Sequence, residues 1–205
     1  MSATRGIIAL AAASLLLAGC GEDFEGDDEG AADPSPSAGQ TAEAGAPDLS
    51  RVNAEFQEYS PEAEAVTYDK EAVPVGSTAG VHVTKDGAET DFHLAVSGLK
   101  PEETYGAHVH TMACGEDPAD AGPHYQNDPA PTKTSHDPAY VNPDNEVWLD
   151  FTTNADGAGT SNADVEWHPR KGEAGSIVIH SEHTKAEPGV AGEAGTRLAC
   201  VNILI

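Results

Sequence analysis

From residue 66 to the C-terminus the apolar residues gather in short runs separated by turn signals, and no window repeats at helical spacing. The runs cover 66–75, 80–84, 91–99, 106–110, 147–153, 161–167, 176–180 and 197–203, each enriched in β-branched or aromatic residues. Asp86-Gly87, Gly98 with Pro101, Asp156-Gly157, Pro169 with Gly172, and Pro188-Gly189 punctuate them. Phe92, Leu94 and Val96 alternate with His93, Ala95 and Ser97, the period-two pattern of a strand buried on one face. Eight such runs predict an all-β domain, an antiparallel Greek-key barrel or sandwich of eight strands with long loops, over 56–205. The stretch 111–146 carries prolines at 118, 123, 129, 131, 138 and 143 and has no strand signal. A loop of that length in a compact domain is usually functional.

The N-terminal quarter reads differently. Arg5 precedes an uncharged apolar run over 7–18, the layout of a secretory signal over 1–19. The run closes in Leu17-Ala18-Gly19-Cys20, which resembles a bacterial lipobox, in which the cysteine is lipidated and becomes the first residue of the mature chain. An ordinary signal cleaved among the small residues near Ala18 fits the same run. Residues 21–50 hold nine acidic residues and no basic one among Ala, Gly, Pro and Ser. Such a segment buries too little apolar surface to offset chain entropy. Residues 20–55 are therefore expected to form a solvated tether, whose acidic part reaches roughly 30 Å if it behaves as a flexible coil. The expected location is the outer face of a bacterial cell membrane, held through Cys20.

Charge and cysteine content narrow the partners. The 155 residues after Ser50 carry 26 acidic residues against nine Lys and Arg, a net of −17. That excess leaves no basic face for phosphate, which excludes a nucleic-acid partner. Nowhere does the chain reach the roughly 18 to 20 consecutive apolar residues of a membrane-spanning helix. Three cysteines are too few for a disulfide scaffold or a four-thiolate zinc site. Export implies an oxidising compartment, so Cys114 and Cys200, left once Cys20 is lipidated, are expected to pair.

The histidines carry the chemistry. His108 and His110 flank Val109 on an expected strand, where period two turns both imidazoles to one face. By itself that pair fits exposed strand histidines as well as ligands. His124 follows in the long loop, and His180 closes the run 176–180. Four imidazoles without thiolates suit copper or zinc, and spacing does not choose between them.

Four segments occur in the order of the signatures of copper/zinc superoxide dismutases and resemble them: Tyr105-Gly106-Ala107-His108-Val109-His110, Ala121-Gly122-Pro123-His124, Ser176-Ile177-Val178-Ile179-His180, and Gly192-Glu193-Ala194-Gly195-Thr196-Arg197-Leu198-Ala199-Cys200. The resemblance covers residues 62–205 and implies an eight-stranded Greek-key barrel. It makes His108, His110, His124 and His180 the copper ligands and Arg197 the catalytic residue that guides and holds the superoxide anion. It pairs Cys114 with Cys200. A structural arginine paired with a carboxylate is the other reading of Arg197. Lys133, Lys171 and Lys185 either add to the positive field at the site or are solvated. His82, His93, His168 and His183 match no ligand and read as surface or structural.

The chain departs from the family after His124. Only His136 lies between His124 and the 147–153 run, and Asn145-Glu146-Val147-Trp148-Leu149 replaces the family's His-x-x-Asp-Leu. Thr184 stands where the family places the aspartate that links its copper and zinc ligands. His136 is thus a remnant zinc ligand, a donor behind a ligand, or a solvent-exposed histidine. Together these losses imply a copper-only form. The expected activity is superoxide dismutation to dioxygen and hydrogen peroxide, with a non-enzymatic copper-binding or storage module of the same fold as the alternative. Oligomeric state is left open.

Overall fold

A computed structural model describes residues 48–132, 135–203 and 205. The signal segment, Cys20, the tether up to residue 47 and Lys133 lie outside the described residues. Among the described residues nine strands follow one another: β1 Asp48–Gln57, β2 Ala65–Thr67, β3 Thr78–Asp86, β4 Glu89–Ser97, β5 Thr104–His110, β6 Phe151–Thr152, β7 Gly159–Val165, β8 Ser176–His180 and β9 Arg197–Asn202. The only helical element among the described residues is a 3-10 turn, Pro118–Ala121.

The strands form one sheet in the order β6-β5-β8-β9-β2-β1-β3-β4-β7. Every pair is antiparallel except β1 with β2, where Phe56 lies opposite Ala65. The chain crosses from β4 to β5 and back from β7 to β8, the Greek-key connections that the run pattern implied. A tight turn between β6 and β7 brings the sheet's two ends together: Asn154 N–H donates to the Ala158 carbonyl at 2.8 Å, and Gly157 N–H to Asn154 at 3.0 Å. Gly157 has φ +73°, and a Cβ there would fall 2.1 Å from the Leu99 carbonyl oxygen, so only glycine fits the closure.

Period-two patterning decides what the barrel encloses. In β4, Thr90, Phe92, Leu94 and Val96 are buried while Glu89, His93 and Ser97 face water. In register across β3, Ala79, Val81 and Val83 meet Val96, Leu94 and Phe92. Both β5 and β8 depart from alternation, being buried from Tyr105 to His110 and from Ser176 to His180. Ala107, Val109, Ile177 and Ile179 fill the barrel interior. Their neighbours on the outer face, His108, His110, Val178 and His180, are covered by the loops 111–146 and 181–196. The site therefore lies between the barrel wall and its loops.

Three details differ from the sequence expectation. β1 is a ninth strand and begins eight residues before the expected domain start at 56. Ser50, Val52, Ala54 and Phe56 alternate there with Arg51, Asn53, Glu55 and Gln57, but only two of the inward side chains are strongly apolar. The run 66–75 is a strand only to Thr67, because the Asp69 carboxylate accepts from the Glu71 and Ala72 N–H groups and turns the chain. The run 147–153 is regular only at Phe151–Thr152, although Leu149 N–H still reaches the Ala107 carbonyl at 2.7 Å.

Candidate metal centre

His108 and His110 leave β5 on its outer face, His180 ends β8, and His124 pairs with His110 in an isolated antiparallel bridge from the long loop. One nitrogen of each imidazole lies within 4.8 Å of the others'. His110 Nε2 and His180 Nε2 are 3.4 Å apart, and the His108 and His124 ring centroids are 4.0 Å apart. A break in register between Ile179 and His180 sets His180 opposite Arg197, as bulges near active sites re-aim side chains.

Outward hydrogen bonds determine which nitrogen His108, His110 and His124 turn inward. His110 Nδ1 donates to the Gly122 carbonyl at 2.9 Å, leaving Nε2 free. His124 Nδ1 donates to Glu146 Oε2 at 2.9 Å, again leaving Nε2. His108 reverses the pattern: Nε2 meets Thr184 Oγ1 at 2.6 Å, and Nδ1 is buried with no partner. Thr184 Oγ1 donates in turn to Asp150 Oδ1 at 2.7 Å. Burial, then the neighbouring His124, hold His108 and His110 well below the usual imidazole range. His180 is pushed down to about 3 by burial and His124, against the opposing effect of the Gly195 backbone. Neutral rings with inward lone pairs are what a metal needs from its ligands. Two buried Nδ1 atoms without a partner, those of His108 and His180, together with the Nε2 atoms of His110 and His124 and no thiolate, fit copper or zinc.

Glu146 is 1% exposed and accepts from His124, from Trp148 Nε1 at 2.8 Å and from Gln126 Nε2 at 2.8 Å. Those three donors compensate the burial of its carboxylate. The structure does not bring His136 to the four imidazoles. Its Nδ1 donates to the Ala191 carbonyl at 2.9 Å, and its Nε2 is 4.0 Å from Glu193. Lys185 is taken up by Glu182 and Glu193. His82, His93 and His168 bond Asp48, Asn162 and Thr90 away from the site.

Arg197 donates Nη1 to the Pro118 carbonyl and Nη2 to the Gly122 carbonyl, both at 2.7 Å. The guanidinium is thus aimed by main-chain oxygens, and no carboxylate forms an ion pair with it among the described residues. Gly122 also accepts from His110, so one carbonyl sets both a ring and the cation. Cys114 and Cys200 form a disulfide that fastens the loop carrying Pro118 and Gly122 to β9. Arg197, His124, Glu146, His136 and Met112 line one open cleft of about 740 Å³.

Glu146, Thr184 and Asp150 are the parts that sequence reading did not assign. A carboxylate beside or within the apolar run Val147-Trp148-Leu149 was the available signal for both acids, since an acid there is either turned out or bonded.

The family described as copper/zinc superoxide dismutase matches residues 75–203. Among solved structures, the copper/zinc superoxide dismutase of Brucella abortus aligns at 19% identity over 78% of this chain and 100% of its own, with a TM-score of 0.48. A double mutant of a SOD-like protein from Bacillus subtilis aligns at 19% identity over 62% of this chain and 89% of its own, with a TM-score of 0.48. No curated protein matches.

Proposed function

Because this chain belongs to the copper/zinc superoxide dismutase family, we propose that it is a superoxide dismutase working at one copper held by His108, His110, His124 and His180, without a zinc partner. The observation that carries this reading is the convergence of one nitrogen from each of the four rings beside the fixed Arg197 guanidinium. Copper bound there supplies the one-electron couple by which two superoxide anions and two protons become dioxygen and hydrogen peroxide.

The chain's own residues supply the rest. Arg197 gives a local positive potential in a domain of net negative charge, drawing a small anion into the cleft and orienting it with guanidinium N–H groups. His124 is the least buried of the four rings, at 16%. It keeps a proton on Nδ1 against Glu146, which leaves Nε2 for the metal site. A storage site has no use for a cation aimed at its mouth, which favours catalysis over storage.

Support for the absence of zinc comes from Glu146. Its carboxylate, anchored by Trp148 and Gln126, occupies the nitrogen of His124 that a second metal would need. His136 is not one of the four rings whose nitrogens converge. At the other end of the chain, Cys20 and the acidic segment support attachment to the outer face of a bacterial membrane through a lipid anchor. The test is metal analysis of protein purified with both metals present, then dialysed against a mild chelator. About one copper per chain, little zinc and dismutation of superoxide are expected. Stoichiometric zinc refutes the copper-only form, and copper without dismutation replaces the enzyme by a storage module.

A further inference from the structure

We propose that Asp150 is a positioning residue that sets the tautomer of His108 through Thr184, keeping the proton on Nε2 and the lone pair of Nδ1 turned into the metal site. The inference rests on the copper reading above and adds to it a residue outside the ligand set.

Proton direction carries the argument. A carboxylate only accepts, and a hydroxyl has one proton to give. Thr184 gives that proton to Asp150 Oδ1 at 2.7 Å. Its oxygen, 2.6 Å from His108 Nε2, is then left to accept, so Nε2 must carry the hydrogen. His108 Nδ1, fully buried and without a protein partner, is therefore bare. Were Asp150 absent, the Thr184 hydroxyl could rotate and donate to Nε2, and the ring's proton would move to Nδ1 and point into the site.

The carboxylate is built into place for this. Asp150 Oδ2 accepts from Thr184 N–H at 2.7 Å, and Oδ1 accepts from Ala107 N–H at 3.2 Å, one residue before His108. The loop carrying Thr184 presses on β5 at Gly106, where a Cβ would lie 2.5 Å from the Glu182 carbonyl oxygen. Asp150 thus ties β5, the 147–152 segment and the 181–185 loop at a single group. The acid that orients His108 comes from the segment ahead of β6, and the loop contributes only a hydroxyl. Partners of this kind behind a metal-binding histidine typically change metal affinity by ~10- to 100-fold when removed.

Nitrogen-15 NMR of the metal-free full chain, with copper affinity measured by chelator competition, tests the assignment. The wild type should show His108 with a protonated Nε2 and a bare Nδ1. Asp150→Ala and Thr184→Val should shift the Nδ1 resonance toward the protonated value and weaken copper binding by about tenfold or more. Thr184→Ser, which keeps the hydroxyl, should restore both. If Asp150→Ala misfolds by circular dichroism, Thr184→Val against Thr184→Ser decides. The proposal is overturned if the variants lacking the relay keep a bare Nδ1 and copper affinity within about twofold of wild type, or if Thr184→Ser behaves as Thr184→Val. Both readouts are independent of dismutation, so a wild type with the expected tautomer and no activity overturns the enzyme reading alone.

Discussion

Lowering the pH should destabilise the metal-free domain through its buried imidazoles. An imidazole titrates near 6.5 in the unfolded chain, and His180 is pushed down to about 3 in the fold. Above pH 6.5 both states are neutral and the shift contributes nothing to pH dependence. As pH falls below 6.5 the unfolded state takes up a proton that the folded state refuses, so stability is lost progressively until about pH 3. At pH 5 the loss from His180 is about 2 kcal/mol, because it is set by the 1.5 units below the unfolded value at about 1.36 kcal/mol each. His108 and His110 are depressed by the same cause and add losses of the same sign. Even the His180 loss alone is appreciable beside the ~5 to 15 kcal/mol that holds a typical domain together. Urea unfolding of the metal-free protein at pH 7 and pH 5, followed by tryptophan fluorescence, measures it. His180→Gln should lessen the pH dependence. If metal-free stability is the same at both pH values, the rings are not buried and neutral together, and the geometry proposed for the site fails.

Removing the disulfide with Cys114→Ala and Cys200→Ala should cost about 4 to 5 kcal/mol, since it closes a loop spanning 86 positions. Calorimetry should show Tm lowered by roughly 10 to 15 °C, and an unchanged Tm would mean that other contacts restrain the 111–146 loop. Replacing Glu146 with Ala leaves the His124, Gln126 and Trp148 donors unpaired and should lower both stability and copper affinity, read by thermal melting and chelator competition. Wild-type copper affinity in that variant would deny Glu146 its part in orienting His124. Cys20→Ala should move the protein from the membrane to the soluble fraction on cell fractionation with activity retained, and a variant that stays in the membrane would refute the lipid anchor.

What could be read from the sequence was local. His108 and His110 are separated by one residue on a strand, so their common face follows from strand geometry. The turn signals at Asp86-Gly87 and Asp156-Gly157 mark chain reversals that the barrel uses. Arg197 and Cys200 lie three apart on β9, and the family resemblance sufficed to single them out. β1 was missed because its inward positions include Ser50 and Ala54, too weakly apolar to stand out after an acidic tether. Asp150 and Thr184 are 34 residues apart and meet only when the 181–185 loop folds against β5. The replacement of the family's segment by Asn145 to Leu149 was visible, but the part played by Glu146 depends on Gln126 and Trp148 closing around it. The surroundings of His136 could not be read from spacing, because Ala191 and Glu193 reach it from a loop more than 50 residues away.

The central claim is that a copper held by four imidazoles dismutates superoxide with Arg197 guiding the anion. Pulse radiolysis of copper-loaded wild type and Arg197→Ala at equal copper content tests it most directly. Arg197 cannot ligate metal, so copper binding should be retained in the variant. The wild type should consume superoxide catalytically, the variant about tenfold or more slowly, and added salt should slow the wild type more than the variant. Equal rates in the two proteins, or no catalysis by a fully copper-loaded wild type, would contradict the account.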